Sequence, residues 1–408
     1  MDLGISERVA PLIKAVRDMV ENDIAPLDAE YHALVGTHPT GDRFKHTDRQ
    51  LEILDGLKSL ARERGLWNFW LTDSERGYGL STVEYAYLAE EMGKVGIAAE
   101  VFNCNAPDTG NMEVLERYGT QEHKDRWLND LLDGKIRSAY VMTEPNTASS
   151  DAAQLSFEAK KDGDEWVLSG EKWWISGSGD PRCALYIVMA CSDPDAPKHS
   201  RHTMFVMDAD TPGVEILRPM QVFGHDDAPH GHMHLRFNNV RLPASAVVLG
   251  EGRGFEIAQG RLGPGRIHHC MRTIGRAERA FEDTVNRAKS RVNFGSTIAD
   301  KGSFREKLAE MRIDIDQSRL LTLYAAAKMD AVGNKAARKE IAMIKVAAPR
   351  MAQRVMDFAI QVHGGGGVSQ DFNVAEGYAH LRTLRLADGP DEVHLESIAK
   401  MELRKQGR

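Results

Sequence analysis

Apolar positions along the 408-residue chain fall into three textures, and each predicts a different kind of element. From Ile5 to about Ile136 they recur at helical spacing, as in Leu12, Val16, Met19 and Val20 or Ile53, Leu57 and Leu60, which predicts an all-helical region. Between about Arg137 and Gly250 the period shortens. Runs such as Ser138–Thr143, Trp166–Leu168, Trp173–Ser176, Ala184–Ala190 and Met204–Val206 alternate there with Gly, Asp and Pro turns, predicting a compact antiparallel β domain. After Gly250 the helical period returns. It is cleanest in Ile341, Ile344, Ala348, Met351, Val355, Phe358 and Val362, whose gaps alternate between 3 and 4, the mark of one buried stripe. Further stripes run from Ile267 through Cys270, Met271, Ile274 and Phe281 to Val285, and from Phe304 through Leu308 and Met311 to Ile315. Together they predict a C-terminal bundle, with a kink at Pro349 because the apolar phase continues beyond it. The expected fold class is mainly α with a central β domain, divided at 1–136, 137–250 and 251–408.

Composition narrows the picture. With 42% hydrophobic and 27% charged residues the chain can bury a large core, and a net charge of −8 argues against nucleic-acid or anionic-membrane partners, which select a basic face. The first residues lack a signal-peptide pattern and no apolar run reaches membrane-span length, so a cytoplasmic protein is expected. Cys104, Cys183, Cys191 and Cys270 lack metal or disulfide spacing and are expected to be small buried residues.

Four segments carry candidate chemistry. In Tyr140–Asp151, Thr143, Asn146, Thr147, Ser149 and Ser150 offer small hydrogen-bonding groups that either hold a planar polar ring or bond their own turn. In Gly170–Pro181, adjacent Trp173 and Trp174 should face opposite sides of a strand, one in the core and one over a ligand, with Ser176 beside them. Gly364–Gly367 follow the best helical stripe. Four glycines exceed a cap, so they predict close approach of backbone to a bulky ligand, or a hinge. In Leu386–His394, Asp391 and Glu392 suit the start of a last helix, whereas Asp388 is left over. It follows apolar Leu386 and Ala387, and could project from a partly dry wall as a base.

In this order Thr143–Pro145, Trp174–Ser176, Arg291 with Phe294–Gly295, Gln361 with His363–Gly365, and Asp388–Gly389 resemble the acyl-CoA dehydrogenase family over nearly the whole chain. The resemblance implies an N-terminal helical domain, a middle β-barrel-like domain and a C-terminal four-helix bundle, assembled as a homodimer or homotetramer. It implies flavin adenine dinucleotide (FAD) between domains and subunits. Tyr140, Met142 and Thr143 would lie along the flavin ring, Ser149 would reach its phosphates or ribityl chain, and Trp174 with Ser176 would close the other side. Arg291, Phe294, Gln361, Gly364 and Gly365 would come from the neighbouring subunit, and Pro390 and Glu392 would also lie by the cofactor. Ser150, Arg266 and Gly389 are carried over as substrate contacts and Asp388 as the base that takes the α proton, with hydride passing to flavin N5. The partners implied are an acyl-CoA thioester, leaving as trans-2-enoyl-CoA, and an electron-transferring flavoprotein.

Two departures matter. Most members carry Glu-Gly-Thr where this chain has Asp388–Gly389–Pro390, which shortens the base by one methylene and removes a hydroxyl offered to the flavin; the Thr143–Asp151 loop is one residue longer. With Cys104–Leu115 and Gly260–Arg272 these resemble the branch whose animal members carry a fused kinase-like domain. A chain of this length leaves no room for that domain, so any kinase partner is expected as a separate protein. A 4-hydroxyacyl-CoA substrate, a flavin oxidase or monooxygenase on the same scaffold, and a non-enzymatic helical assembly remain alternatives. The alternating His230, His232 and His234 could share one face and hold a metal, but the resemblance requires none and gives them a strand bordering the substrate cleft. Arg266 is expected in a Gly- and Pro-rich start of a helix.

Overall fold

The computed structural model describes residues 3–71 and 76–406, the side chains of 262–264, 405 and 406 excepted. The first helices are α1 (Ala10–Met19), α2 (Ala25–Ala33), α3 (Asp48–Glu63), α4 (Thr82–Gly93), α5 (Ala98–Val101), α6 (Asp108–Tyr118), α7 (Gln121–His123) and α8 (Asn129–Leu132). Strands follow as β1 (Arg137–Val141), β2 (Glu158–Asp162), β3 (Glu165–Ser176), β4 (Cys183–Cys191), β5 (His202–Asp208), β6 (Val214–Pro219) and β7 (His232–Pro243). The chain then returns to helix in α9 (Gly254–Ser290), followed by a hairpin of β8 (Val292–Asn293) and β9 (Ser296–Thr297). The last helices are α10 (Gly302–Val332), α11 (Arg338–His363), α12 (Val374–Thr383) and α13 (Asp391–Gln406). The helix, sheet, helix order matches the expected fold class. Among the described residues no helix is long and apolar enough to cross a membrane.

The chain forms two compact units. One comprises Met1–Asp28, Glu63–Val101 and Gly263–Arg408; the other comprises Ala29–Arg62 and Phe102–Leu262.

In the first unit α11 packs against α10, α12 and α13, and its buried Ile341, Ile344, Ala348, Met351 and Val355 bear out the predicted stripe. The helix runs on through Pro349. Small residues let α4 and α9 touch: a Cβ on Gly275 would lie 1.9 Å from the Glu90 carbonyl oxygen, and one on Gly93 2.2 Å from that of Arg272. Arg319 of α10 ties the same crossing, bonding Glu90 at 2.7 Å and also Glu278 of α9. The start of α4 carries a capping box between Ser81 and Glu84, and Asp330 of α10 accepts from the Thr82 and Val83 N–H groups at 2.9 and 3.2 Å.

In the second unit the strands lie in the order β1-β4-β2-β3-β7-β6, with β5 on the free side of β4. The sheet is not wholly antiparallel as expected, because β1 and β4 run parallel. The β2–β3 hairpin between them supplies the long crossover that a parallel pair needs. Its core holds Val141, Phe157, Trp166, Leu168, Ile175, Val188, Phe205, Leu235 and Phe237. Buried Asp108 at the start of α6 fixes β1, accepting from the Ser138 N–H at 2.8 Å and pairing with Arg137.

Candidate active site

The β unit presents one candidate wall. Tyr140 is the penultimate residue of β1, and Met142 and Thr143 follow the strand half-buried, their backbone set by a buried ion pair that sequence reasoning missed. Lys172, fully enclosed, donates to Met142 O at 2.7 Å, Met189 O at 2.9 Å and Glu144 Oε1 at 3.0 Å. Glu144 also accepts from the Ser156 and Phe157 N–H groups at 2.8 and 2.9 Å. Burial pushes the Lys172 ammonium down to about 8 against the pull of Glu144. The visible signal was a lysine at an inward position of β3.

The hydroxyl of Ser149 is engaged locally, accepting from Glu144 N–H at 2.9 Å and donating to Thr147 O at 3.2 Å, so it shapes the Thr143–Asp151 loop; Ser150 is exposed. Tyr140 carries the guanidinium of Arg261 over its ring at 4.0 Å, and Arg261 in turn donates to Asn111 Oδ1 at 3.2 Å.

The tryptophan pair differs from expectation. Neither ring enters the core, which on β3 is filled by Trp166, Leu168 and Ile175. The reason is a register shift between Lys172 and Ile175 that interrupts alternation, with Trp174 at φ 55°. A left-handed backbone at a bulky residue costs about 1–2 kcal/mol and marks a constrained site. Trp174 is 36% exposed, and its ring lies 6.0 Å from that of His232, which bonds Ser176 Oγ at 2.8 Å. The histidines do not form one three-membered face: His230 precedes β7, while His234 pairs with Glu171 at 3.0 Å. Among the described residues no group of three His, Cys, Asp or Glu side chains is placed to hold a metal.

The helical unit holds Asp388 in a turn before α13. It adopts φ 56°, a region that Asp tolerates better than longer acids, followed by Gly389 at φ 100°, where a Cβ would meet His394 Nε2 at 2.8 Å. Its carbonyl oxygen takes hydrogen bonds from Arg266 Nε and His394 Nε2, both at 3.2 Å, and its carboxylate lies 3.3 Å from His269 Nε2. Leu386 and Ala387 are exposed, so they do not form the dry wall anticipated from sequence. That wall comes instead from α9, α11 and α13: Arg266, Cys270, Lys345 and His394.

Burial lowers the Arg266 guanidinium and the Lys345 ammonium, and in each case attraction to Asp388 is the leading influence that opposes it. Lys345 donates to Leu384 O. Burial, then repulsion from Arg266 and Lys345, pushes His394 down to about 4, so at neutral pH it is uncharged with its proton on the nitrogen that faces Asp388 O. Burial likewise drives the Cys270 thiol up to about 12, a closed neutral group. Arg266 lies within α9 and not at a helix start. Asp391 and Glu392 do open α13, as expected; buried Asp391 is held by Arg350 at 2.9 Å and Arg385 at 2.7 Å, and Glu392 is exposed. Pro390 caps the turn, its carbonyl accepting from Val393 and His394 N–H at 3.1 and 3.3 Å.

The glycine run divides by role. A Cβ on Gly367 would sit 2.3 Å from Ile360 O and one on Gly366 2.8 Å from the Phe372 ring, so the chain itself requires both. At Gly364 and Gly365 a Cβ meets nothing within 4 Å, which leaves an exposed, bare strip of backbone beside exposed Gln361. Fully exposed Phe294 forms the tip of the β8–β9 hairpin with Gly295, and exposed Arg291 stands at its open end, just before β8.

Three family models match in sequence: acyl-CoA dehydrogenase N-terminal domain over residues 6–135, middle domain over 139–240 and C-terminal domain over 252–403. Acyl-CoA dehydrogenase family member 11 of Mus musculus is 49% identical across 99% of this chain and 51% of its own length. The chain thus spans about half of that relative. A solved Mycobacterium abscessus chain assigned to the acyl-CoA dehydrogenases is 50% identical at TM-score 0.94, covering 99% of this chain and 100% of that one. Butyryl-CoA dehydrogenase from Megasphaera elsdenii is 28% identical at TM-score 0.81, with the same coverages.

Proposed function

Since the chain belongs to the acyl-CoA dehydrogenase family, we propose that it is an FAD-dependent acyl-CoA dehydrogenase, converting an acyl-CoA thioester to its trans-2-enoyl product. The observation that carries this reading is the setting of Asp388. A carboxylate on a left-handed turn has its own peptide clamped by Arg266 and His394, beside buried Lys345. Clamping matters because a base must meet a carbon acid at fixed distance and angle, and a residue of the turn that could swing would lose that advantage.

The residues present fit FAD. Met142 and Thr143 offer a backbone edge immobilised by Lys172 and Glu144, and Trp174 offers an exposed ring held in a strained bulge. Gly364 and Gly365 offer bare backbone suited to a pyrophosphate, near Gln361. Tyr140 and Ser176 would add ring contacts, with Ser149 shaping the loop; Pro390 and Glu392, at the start of α13, are read as further cofactor contacts. When bound, the flavin supplies the hydride acceptor that no side chain provides. Asp388 would remove the α proton, and its backbone N–H, with Gly389 beside it, would offer the thioester oxygen a hydrogen bond that steadies developing charge there. Arg266 serves the reaction by holding the base, and Ser150, exposed on its loop in the β unit, is read as a substrate contact.

The exposed Phe294 and Arg291 are apt for burial against a second copy of the chain, which supports a homo-oligomer that shares each cofactor. Electrons leave to an electron-transferring flavoprotein. Anaerobic mixing of the yellow holoenzyme with a panel of acyl-CoAs, 4-hydroxy and 4-phospho forms included, tests the reading. At least one thioester bleaches the flavin, and failure of every one would sink the assignment. Slow reoxidation by dissolved oxygen alone is expected of a dehydrogenase, and reoxidation within seconds would transfer the chain to the oxidases.

A further inference from the structure

We propose that His232, held by Asp227, is a positioning residue that sets the direction of the Ser176 hydroxyl toward the flavin, so that the hydroxyl accepts at high pH and donates at low pH. The inference rests on the reading above that Ser176 faces the flavin ring. Ser176 and His232 are opposite one another across the β3–β7 ladder. Ser176 Oγ lies 2.8 Å from His232 Nδ1, and the other ring nitrogen lies 3.4 Å from Asp227 Oδ2. The imidazole therefore bridges a hydroxyl and a carboxylate, the side chains of His232 and Asp227 being 16% and 36% exposed.

The hydrogen-bond inventory of each group fixes the logic. An ionised carboxylate only accepts, so the neutral ring keeps its proton on the nitrogen facing Asp227. Nδ1 is then a bare acceptor and takes the Ser176 O–H, leaving that oxygen only lone pairs to offer a cofactor. Once the ring gains a second proton, both nitrogens donate, and Nδ1–H turns toward Ser176 Oγ. The serine proton is released and can be donated outward. One protonation thus reverses the polarity of a single hydroxyl without moving a heavy atom.

Other charged or titratable groups surround the pair. His230 has its ring 6.3 Å from that of His232 on the preceding loop, His234 stands two positions along β7 with Glu171 and Arg236, and Arg218 of β6 is opposite His234. Asp226, the neighbour of Asp227, is taken by Arg43 at 2.6 Å. His234 and Arg236 pair with Glu171 and Arg43 with Asp226, while Asp227 lies within reach of His232.

The test uses holoenzyme and two independent readouts. In 15N-histidine spectra of the wild type at high pH, His232 is expected as the tautomer protonated on Nε2; a ring protonated on Nδ1 in its neutral state overturns the proposal. The visible absorbance of bound oxidised flavin is expected to shift with one midpoint between about pH 5 and pH 8. That shift should vanish in His232→Gln and Ser176→Ala and move to lower pH in Asp227→Asn. A shift that persists in His232→Gln, or its absence from the wild type, also overturns it. If Ser176→Ala changes the spectrum but His232→Gln leaves the pH shift intact, only the positioning role fails. If Ser176→Ala leaves the spectrum unchanged at every pH, the contact between Ser176 and flavin fails as well.

Discussion

Lys172→Met removes the ammonium that fixes the backbone around Met142–Thr143, and its cost can be worked from the contacts. The lysine is fully enclosed and gives its three donors to Met142 O, Met189 O and Glu144 at 2.7, 2.9 and 3.0 Å. Methionine fills a similar volume, so the loss is mainly electrostatic. Two carbonyl oxygens lose their partner and Glu144 becomes a buried charge without its counterion, a change worth about 3–5 kcal/mol. Glu144 keeps the Ser156 and Phe157 N–H groups, which places the expected loss at the lower end, about 3 kcal/mol. The order of variants decides the cause. Lys172→Met with Glu144→Gln removes the stranded charge and is expected to be more stable than Lys172→Met alone, by about 1–2 kcal/mol. Guanidinium unfolding followed by tryptophan fluorescence measures the order, and hydrogen exchange at the Ser156 and Phe157 amides localises the loss. A single variant within about 1 kcal/mol of wild type, or a double variant weaker than the single, would refute the reasoning.

The glycine run and the start of α4 give further expectations. Gly367→Ala places a Cβ against the Ile360 carbonyl and is expected to lower the melting temperature by several degrees, whereas Gly365→Ala should melt like wild type yet retain FAD less tightly on dilution. Equal melting losses for both would contradict the division of roles. Burial opposes ionisation of Glu84, but Arg8, Ser6 and the Ser81 N–H outweigh it and hold the carboxyl at about 2, below its usual 4.5. Because the folded value is depressed, this stabilisation is present above about pH 4.5 and is lost as pH falls toward 2. Glu84→Gln should therefore flatten the fall in urea midpoint between about pH 5 and pH 3, and an unchanged slope would argue against the capping pair as its source.

The fold was legible because its signals are local. The α11 stripe and the Gly- and Asp-punctuated strands write their periods in adjacent residues, and the start of the last helix at Asp391 was readable from Gly389–Pro390 and two acids. The parallel β1–β4 pairing was not, since it depends on which strand a long connection returns to. At the site, Asp388 could be singled out as an acid without a capping duty. Its surroundings could not, because Arg266 and His269 come from α9, Lys345 from α11 and His394 from α13, and only folding assembles them. Lys345 left a faint trace as a lysine next to Ile344 in an otherwise apolar stripe. The bulge at Trp174 left none: sheet alternation predicts opposite faces, and a shifted register overrides it.

The central claim is that Asp388 removes the α proton, and Asp388→Asn tests it most directly. The amide matches the carboxylate in size and keeps the peptide that Arg266 and His394 hold, so folding, yellow colour and acyl-CoA binding are expected to persist. With an acyl-CoA that bleaches the wild type under anaerobic stopped-flow conditions, the variant should bleach about 10²–10⁴-fold more slowly, the range lost with a positioned base. Bleaching at a rate near that of the wild type would contradict the account and return the base to another residue.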